Sequence, residues 1–584
     1  MSNPPAPYSQ KPLHWVDPVQ EYAEGSLRKF CDNMNISLGL GRILAGRNML
    51  DEDRANRFLN PSLGDLHSPF LMMDMYKAVE RISQALESHE KILVFGDYDV
   101  DGTASATILF SYLKRLGARI VYHIPHRIRD GYGLTEPSVR RFKGWNVDLV
   151  ITVDHGSTDT EGARMIREAG MALIITDHHQ VGPERPAALA LVNPQQPDCT
   201  YPFKELSAAG VAFKLVCALD EHLAEHNFFE RQGLRRPSPL YYLDLVAVAT
   251  VADMAPLLGE NRVLVKLGLD QLNDQPRPGF SGLIKECRIR GLITPSIISF
   301  KLAPKINALG RVGDPQVGMQ LLLSHSFSES RRLARSLLEA NRSRQEIERE
   351  ALTLALQQSE AMRDSDALVL LGTDWHPGVL GTIATRIATE TGKPTVVLTL
   401  YEHPYVNGSA RSPTGFNVLN CLDACAHLLS RYGGHPNAAG LLFHPDQVPE
   451  FTRCFMAAVR REKATVRPGG KLAIESWVER EGLSLDFFAE LSRLSPFGYR
   501  NPEPVLALRG LRLMVAEPIK FRNLRVNLLC PDGKELEAFA WDAPDWALTT
   551  GHTYDVAFKP QIQLGPEGMR TQMHILDIKP AGAA

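Results

Sequence analysis

The stretch GDYDVDG, residues 96–102, directly follows the apolar run ILVF at 92–95. It places three aspartates, Asp97, Asp99 and Asp101, within five positions. An apolar run of this kind is typical of a buried strand, and three carboxylates at the end of such a strand repel one another. Burial makes the repulsion worse unless a positive charge compensates it. The stretch is therefore either a loop that leaves all three side chains in water or part of a site for a divalent cation.

Strands and helices alternate along the chain on both sides of this loop. Apolar residues recur at helical spacing before residue 92 and again after Gly102, and short apolar runs separate further helical segments. Alternation of this kind with short loops is typical of a parallel sheet with helices on both faces, so an α/β fold is expected. The predicted strands lie at 92–95, 119–124, 147–153 and 172–176, and the predicted helices lie near 78–86, 104–116, 136–142 and 159–169.

Three of the predicted strands end in side chains that can bind a metal. Besides the three-aspartate loop, Asp154-His155-Gly156 and Asp177-His178-His179 each follow a strand directly. In open parallel sheets, ligands bind outside the carboxyl ends of the strands, so these groups are expected at one edge. Asp253 ends a later apolar run, where it either caps that run or reaches the same edge.

Carboxylates together with one or two imidazoles, and without thiolates, suit Mg²⁺ and Mn²⁺, with Zn²⁺ as an alternative. A carboxylate can bridge two ions, and the acids at this edge are enough for two ions about 3.5–4 Å apart. That arrangement is used for in-line displacement at phosphorus. Each acidic motif alone is equally compatible with a solvated loop, but the three motifs together favour a metal centre.

The composition is that of an ordinary globular protein. The chain has 584 residues and a formal net charge of −3, and its length predicts about three to five domains. The charge balance gives no global basic signature for nucleic acid, although an acidic centre could mask a local basic groove. None of the eight cysteines forms a CxxC pair, so a reducing cytoplasm is expected. The first residues lack a secretory pattern, and no apolar run reaches the roughly 18 residues of a membrane span.

The sequence pattern changes twice in the remainder of the chain. A long helical stretch is followed by a second α/β pattern, and short β patterns follow residue 468. Several short strands within about 115 residues fit a small β-barrel such as an OB fold. The expected divisions are a lead-in at 1–70, a catalytic α/β domain at 71–316, a connecting helix at 317–363, a second α/β domain at 364–465 and a barrel at 466–584.

Several motifs carry a family resemblance. DYDVDGTAS at 97–105, VDHG at 153–156, TDHH at 176–179 and ATVADMAPL at 249–257 resemble the four motifs of the DHH phosphoesterase superfamily. YGGHPNAAG at 432–440 resembles its DHHA1 motif. LSPFGYRNPEPVL at 494–506 and QMHILDI at 572–578 resemble the carboxyl-terminal module of the RecJ family. The resemblance covers about residues 70–584 and implies a DHH domain with a parallel sheet, a long connecting helix, a DHHA1 α/β domain and an OB-like barrel.

The resemblance implies a metal centre with Mn²⁺ or Mg²⁺, two ions, as the cofactor. Asp177 and His179 are expected to orient the ligating histidine or to contact substrate, because a ligating imidazole needs a partner on its other nitrogen. One position departs from the family pattern: His155 stands where asparagine is expected, as either a neutral replacement or an extra ligand. The implied metal ligands are Asp97, Asp99, Asp101, Asp154, His178 and Asp253, with Asp97 either a ligand or a neighbour of the ligands and Asp253 bridging the ions.

The resemblance also implies contacts with DNA. His435 is expected to donate a hydrogen bond to the scissile phosphate and so joins the metal ligands as a catalytic residue. Arginine makes bidentate contacts with phosphate, although each arginine alone is equally compatible with a surface ion pair. Basic and aromatic residues also interleave on one barrel segment, as they do in modules that bind single strands. The implied substrate contacts are Arg127, Arg311, Ser409, Arg411, Gly434 and His179, and the barrel segment contains Lys520, Phe521, Arg522 and Arg525.

The activity that the resemblance implies is a 5′→3′ exonuclease that degrades single-stranded DNA to 5′-mononucleotides in DNA repair and recombination. It further implies a cytoplasmic monomer without a membrane partner, assisted by a RecQ-type helicase and a single-strand-binding protein. Two alternatives stay open: a DHH-type phosphodiesterase acting on short oligonucleotides or cyclic dinucleotides, and a nucleic-acid scaffold without chemistry. The barrel and the connecting helix argue against the first, and the full set of motif acids argues against the second.

Overall fold

The computed structural model describes the chain from residue 13 to residue 582 with short gaps. The described residues are 13–17, 22–126, 130–131, 133–401, 404–413, 415–463, 471–478, 483–519, 523–533, 535–541, 543, 546, 548–565 and 568–582. In chain order they form three amino-terminal helices, a parallel α/β body, a connecting helix, a second α/β body and a barrel.

The first α/β body is built on a five-stranded sheet in which all neighbouring strands are parallel. Four strands lie where the apolar pattern predicts them, within two residues at each end. The fifth is too short to stand out as an apolar run. In spatial order the strands are Arg119–His123, Lys91–Gly96, Leu149–Val153, Ala172–Thr176 and Ala190–Val192.

The register of the three central strands decides where the acidic side chains emerge. Gly96 pairs with Val153, and Val153 pairs with Thr176. Each of these residues is the last of its strand and is followed directly by an aspartate, at 97, 154 and 177. The three aspartates therefore leave the sheet side by side, at the carboxyl edge where parallel sheets bind ligands.

Alternate side chains of these strands enter two different cores. Ile92 and Val94 pack into the larger core, whereas Leu93 and Phe95 pack into the smaller one on the opposite face. The smaller core is covered by the helices Glu136–Gly144 and Thr160–Glu168. The helices around the larger core are Met75–Glu87, Val100–Arg115, Ala208–Glu225, Phe228–Arg231, Leu243–Ala252, Gly259–Asp274, Pro278–Glu286, Pro295–Ile297, Ala303–Val312 and Gln316–Leu323.

A 35-residue helix, Phe327–Ala361, connects the first body to the second, as expected from the sequence. It begins later than predicted because Gln316–Leu323 is a separate helix and Ser326 caps the long one by accepting from the Glu329 amide. Leu333 near its start lies in the core of the first body, and Ala355 near its end lies in the core of the second. Among the described helices, none combines the length and hydropathy that crossing a bilayer requires.

The second α/β body has a mixed five-stranded sheet with helices packed against it. Only the strands Leu368–Gly372 and Thr395–Thr399 are parallel to each other; the remaining described pairs are antiparallel. In spatial order the strands are Arg431–His435, Ala438–Phe443, Val406–Arg411, Thr395–Thr399 and Leu368–Gly372, and the helices are Leu380–Thr391, Val418–Asp423 and Val448–Lys463.

The carboxyl-terminal strands form a closed barrel. Leu506–Pro518 pairs with Leu524–Leu529 on one side and with Thr553–Gly565 on the other, so the sheet returns to its first strand. Closure removes the exposed strand edges that an open sheet would present. Around the barrel the strands are Leu506–Pro518, Leu524–Leu529, Glu535–Ala540, Gly568–Pro580 and Thr553–Gly565, with Ser476–Trp477 beside the first and the helix Leu485–Leu491 packed nearby.

The amino-terminal helices pack against the barrel, an arrangement that the sequence pattern did not predict. Glu24–Met34, Leu38–Gly46 and Glu52–Leu59 contribute buried side chains to the same core as the barrel strands. The buried guanidinium of Arg262, on a helix of the first body, donates to the carbonyls of Phe58, Arg493, Leu494 and Ser495. One arginine of the first α/β body therefore contacts both the amino-terminal helices and the segment before the barrel.

Candidate active site

The loop after the strand Lys91–Gly96 is folded tightly around Asp97, its first aspartate. A Cβ atom on Gly102 would lie 2.6 Å from the backbone nitrogen of Asp97, so glycine is required there. Asp99 caps the helix Val100–Arg115, with its Oδ1 accepting from the Gly102 amide at 3.0 Å. This local geometry turns the aspartates inward toward the edge of the sheet.

Two neighbouring helices hold the next two acids. Asp101 accepts hydrogen bonds of 2.8 Å from the amides of both Ala208 and Ala209, the first two residues of a buried helix. Positive helix ends stabilise carboxylates in this way. Asp253 directly follows the helix Leu243–Ala252. The apolar run is therefore this buried helix, and its end places the Asp253 carboxylate at the edge of the sheet.

His178 stands at the centre of the acids. Its Nε2 atom lies 3.2 Å from Oδ1 of Asp154 and 3.9 Å from Oδ2 of Asp101. Its Nδ1 atom lies 3.9 Å from Oδ2 of Asp253. These residues come from three strand ends and one helix end, so only the assembled sheet brings them together.

Three overlapping groups of these side chains have ligand atoms within 4.8 Å of one another. Asp154 and His178 each belong to two of the groups, which fits two ions that share ligands. The groups are Asp97–Asp99–Asp154, Asp101–His178–Asp253 and Asp154–His178–His179. All six metal ligands that the sequence predicts lie in this cluster.

The electrostatics of the cluster favour a cation. Burial and the neighbouring carboxylates raise the pKa of Asp101 and Asp154 well above the usual range of aspartate. The same causes raise the pKa of Asp253 to about 7. Burial, aided by His179, lowers the pKa of His178 to about 4, so its imidazole is neutral near pH 7 and able to bind a metal.

Two buried atoms give a direct test of whether a metal fits. Within the part of the chain that the structure describes, Oδ1 of Asp154 and Nε2 of His178 have no hydrogen-bond partner. Buried polar atoms are almost always satisfied, so a facing pair without partners points to a missing group between them.

Asp177 orients His179. Its Oδ1 lies 2.8 Å from Nδ1 of His179 and also accepts from the amide of His178, while Oδ2 accepts from the amide of Ser157. Although burial opposes ionisation, the His179 hydrogen bond lowers the pKa of Asp177, and Asp177 raises the pKa of His179 to about 9. Asp177 thus positions the second histidine of the motif, half of whose side chain is exposed.

His155 lies away from the metal-competent groups. Its Nε2 is 3.2 Å from the carbonyl of Phe95, and its ring packs edge-on against the Phe95 ring at 4.7 Å. Burial lowers its pKa, so the ring is neutral. Of the two interpretations of this departure from the family pattern, the geometry favours a neutral replacement.

Ser409 and Arg411 form a second polar group on the mixed sheet. They lie two residues apart on one strand, so their side chains share a face, and Nη1 of Arg411 donates to Oγ of Ser409 at 2.9 Å. Burial lowers the pKa of Arg411, and no carboxylate pairs with it among the described residues. A half-buried guanidinium of this kind is suited to a phosphate.

Arg311 lies where the two α/β bodies meet. Its helix, Ala303–Val312, also contacts the aspartate loop: Asn307 accepts from the Val100 amide at 2.9 Å, and a Cβ on Gly310 would lie 2.8 Å from the Tyr98 carbonyl. Arg311 donates to the carbonyl of Gly378 in the second body. Asn307 is a site residue that the sequence analysis missed, because its contact with the loop is 207 residues distant.

Gly434 and His435 lie on the edge strand Arg431–His435 of the mixed sheet. Gly434 has a φ of 149°, and a Cβ there would lie 2.3 Å from the carbonyl oxygen of Ala438 on the neighbouring strand, so this position needs glycine. His435 is exposed. Arg431, at the other end of this strand, lines a cavity of about 300 Å³ together with Ser157 and His179. The second body thereby contributes a cation beside the metal cluster, and the sequence analysis did not single it out.

A pair of aromatic side chains that the sequence analysis did not single out lies on and just after the barrel strand Glu535–Ala540. Phe539 and Trp541 stack with centroids 6.0 Å apart, and His574 lies 6.5 Å from Trp541. Arg525 is engaged by Glu537 at 2.7 Å. The alternation in FAW at 539–541 was the available signal for this platform. The remaining predicted contacts Arg127, Lys520, Phe521 and Arg522 lie outside the described residues.

Comparison with known families matches three parts of the chain. Residues 91–250 match the DHH family amino-terminal domain, residues 364–460 match the DHHA1 domain, and residues 474–577 match the RecJ OB domain. The matches follow the order of the first α/β body, the second α/β body and the barrel.

Curated relatives and solved structures agree with these matches. The chain is 34% identical over 517 residues to the single-stranded-DNA-specific exonuclease RecJ of Dickeya dadantii, covering 86% of this chain and 89% of that one. It is 34% identical over 492 residues to RecJ of Bacillus subtilis, where the match covers 83% of this chain but only 60% of the longer relative. A crystal structure of Thermus thermophilus RecJ in complex with Mn²⁺ superposes with a TM-score of 0.81 at 30% identity, covering 98% of this chain and 80% of that one, and the same protein was solved with Mg²⁺.

Proposed function

This chain belongs to the RecJ family of DHH-domain proteins, and on that premise we propose that it is a metal-dependent exonuclease that degrades single-stranded DNA in the 5′→3′ direction to 5′-mononucleotides. The observation that carries the proposal is the pair of buried atoms, Oδ1 of Asp154 and Nε2 of His178, that face each other at 3.2 Å within a ring of carboxylates. Oxygen and imidazole ligands at this spacing suit Mn²⁺ and Mg²⁺.

Each ligand has a role in the proposed centre. Asp97, Asp99 and Asp154 would hold one ion, and Asp101, His178 and Asp253 would hold the other. Asp154 and His178 also meet in the third group, and the resemblance makes Asp253 the acid that bridges the two ions. Bound Mn²⁺ or Mg²⁺ would activate the attacking water and neutralise charge on the phosphate oxygens. The Ala208 and Ala209 amides fix the direction of the Asp101 carboxylate before any ion binds, so little reorganisation is needed.

Contacts with the substrate would come from the second α/β body as well as the first. Ser409 and Arg411 would bind the 5′-terminal phosphate, since the guanidinium and the hydroxyl already point to one face. His435 would donate a hydrogen bond to the scissile phosphate. Gly434 has no side chain, so the DNA backbone would be able to approach this β-strand closely. Arg431 and His179 would border the terminal nucleotide in the cavity of about 300 Å³ beside the cluster.

The rest of the single-stranded DNA would pass Arg311 and reach the barrel. Arg311 lies at the junction of the two bodies, where a strand that enters the metal centre must cross. Phe539 and Trp541 offer stacked rings to the bases, and aromatic platforms of this kind bind single strands with little sequence preference. A strand held at both the metal centre and the barrel would remain bound through successive cuts.

The proposed partners and pathway follow from the requirement for single-stranded DNA as substrate. A RecQ-type helicase would supply unwound ends, and a single-strand-binding protein would keep them open, so that the enzyme acts in DNA repair and recombination. We expect a monomer in the cytoplasm, because one chain contains the complete ligand cluster and the substrate is chromosomal DNA.

A degradation assay separates the alternatives. We expect release of 5′-mononucleotides from a 5′-phosphorylated single strand with Mn²⁺ or Mg²⁺, and no release from a blunt duplex of the same sequence. Labels at the two ends of the strand report the direction of degradation. Hydrolysis of dinucleotides or cyclic dinucleotides alone would instead identify a small-substrate phosphodiesterase. Absence of any hydrolysis with either metal would identify a scaffold.

A further inference from the structure

A second cavity lies far from the metal centre, at the opposite end of the helix Val100–Arg115. Its volume is about 430 Å³. Asp101 lies in the first turn of this helix, whereas Lys114 and Arg115 lie in its last turn and line the cavity. At 1.5 Å per residue the two ends are about 20 Å apart, so this cavity is separate from the cluster of acids.

Aromatic rings form much of the cavity wall. Phe110 is buried and packs edge-on against Tyr122, with ring centroids 5.1 Å apart. Tyr241 lines the same cavity and remains 39% exposed. The part of the Tyr241 ring that stays exposed is a surface against which a flat, unsaturated ligand could stack.

Two cations stand over these rings. The Lys114 Nζ lies 5.5 Å from the Phe110 ring centroid, and the Arg115 guanidinium lies 4.5 Å from the Tyr241 ring centroid. Neither cation forms an ion pair with a carboxylate in the described part of the chain. Arg277 also lines the cavity, but Asp244 neutralises it. The charge available to a ligand therefore lies on Lys114 and Arg115, beside the rings.

A polar atom deeper in the cavity also lacks a partner. Ser324 is 7% exposed and lines the cavity, and its buried Oγ forms no hydrogen bond with any residue that the structure describes. A buried hydroxyl without a partner is uncommon in native proteins and indicates a ligand or a water molecule at that point. Glu329, the single carboxylate among the lining residues, offers a further acceptor for a ligand that carries N–H groups.

We propose that this cavity is a second nucleotide-binding site. The base would stack against the exposed part of Tyr241 and hydrogen-bond to Ser324, and the phosphate would be bound by Lys114 and Arg115. A nucleotide combines a flat ring, edge N–H and carbonyl groups and a negative charge, and the wall offers a partner for each of these parts. The nucleotide is either a free mononucleotide or one residue of a bound strand, since both present the same groups.

Binding of dAMP to the full chain in EDTA tests the site without the metal centre. We expect isothermal titration to show dAMP binding in the wild type that persists in the double variant Asp253→Ala/Arg411→Ala, whose changes lie in the metal cluster and at the proposed end-phosphate contact. The double variant Lys114→Ala/Arg115→Ala should weaken binding by at least about 10-fold, because charge-assisted contacts with phosphate are lost. Lys143→Ala removes an equally exposed lysine from another helix and should bind as the wild type does.

Further ligands identify what the site binds. A single strand blocked at both ends that competes with dAMP, and that crosslinks to Tyr241 through a bromodeoxyuridine, would identify the nucleotide as part of a strand; binding of dAMP alone would identify a free mononucleotide. The proposal is overturned if the double variant Lys114→Ala/Arg115→Ala binds dAMP as tightly as the wild type, or if inorganic phosphate binds as tightly as dAMP. It is also overturned if a phenylalanine-containing acidic peptide binds there while dAMP does not.

Discussion

The Nε2 atom of His178 and Oδ1 of Asp154 face each other at 3.2 Å, and each is buried without a hydrogen-bond partner in the described structure. The two residues follow neighbouring strands, and the register that pairs Val153 with Thr176 sets them side by side. A neutral imidazole and a carboxylate in this position stabilise each other little. A divalent cation bound by both groups would stabilise the site most.

Asp253→Ala should abolish turnover while leaving the affinity for single-stranded DNA within a few fold of the wild type. The carboxylate lies 3.9 Å from His178 in the metal-competent group, whereas contacts with the strand would lie on the second body and the barrel. Steady-state hydrolysis and a filter-binding assay measure the two quantities. Asp270→Ala, which changes an exposed aspartate on the next helix, is the matched control and should retain full activity. Wild-type rates in Asp253→Ala would remove this residue from the centre.

Metal binding should raise the melting temperature of the stripped protein. Without a cation, burial and then mutual repulsion disfavour the charged carboxylates, and both raise the pKa values of Asp101 and Asp154. At 100 times the dissociation constant, Mn²⁺ should add about 2.7 kcal/mol of stability. Asp154→Asn should be more stable than the wild type in EDTA and gain less from Mn²⁺. The control Asp198→Asn, at an exposed site, should show the same rise in melting temperature with Mn²⁺ as the wild type. The same rise in Asp154→Asn would contradict the proposal that Asp154 binds the metal.

Arg411→Ala should impair hydrolysis of a 5′-phosphorylated strand more than hydrolysis of a 5′-hydroxyl strand. The half-buried guanidinium is oriented by Ser409 and lacks a described carboxylate partner, so a terminal phosphate would be its counter-charge. Loss of a charge-assisted contact of this kind costs about 1.5–3 kcal/mol, which is roughly 10- to 150-fold in kcat/KM. Arg386→Ala changes an exposed arginine paired with Glu390 and should leave both rates unchanged. Equal losses on the two substrates would rule out a pocket for the end phosphate at Arg411.

Trp541→Ala should weaken binding of long single strands without changing the rate on very short ones. The ring is 52% exposed and stacks with Phe539 at 14° between the ring planes, so it offers a face to a base. Loss of base stacking costs about 1–3 kcal/mol. The measurement is KM as a function of strand length. Trp541→Phe should restore most of the affinity, and a Trp541→Ala variant with wild-type KM on long strands would place the DNA elsewhere on the barrel.

The strand ends of the first body follow from the sequence because the relevant rules are local. An apolar run followed by aspartate predicts both the strand and the position of the carboxylate, and parallel pairing then puts Asp97 and Asp154 at one edge. The same logic extends to His178. The end of the connecting helix also follows from the sequence, since it lies within two residues of the predicted position 363. Its start does not, because the break at residues 324–326 interrupts no apolar pattern.

Contacts between distant segments could not be predicted in this way. Asn307 accepts from the Val100 amide across 207 residues, and Arg431 reaches the cavity beside His179 from another sheet. Neither residue belongs to a pattern that marks it, since an asparagine on a helix and an arginine on an edge strand are usually solvated. Their positions depend on how the two α/β bodies meet, which is a property of tertiary packing.

The buried Arg262 offers the sharpest test of how the chain ends are joined to the first body. Its guanidinium is 2% exposed and donates to four carbonyls, one in the amino-terminal helices at Phe58 and three just before the barrel. Arg262→Met keeps much of the side-chain volume but leaves these acceptors buried without donors, so the free energy of unfolding should fall by about 3 kcal/mol. Urea denaturation followed by barrel tryptophan fluorescence measures the loss. Arg28→Met, at an exposed ion pair with Glu24, should change the stability by less than about 1 kcal/mol. A variant at Arg262 as stable as this control would show that contacts other than this guanidinium hold the three parts together.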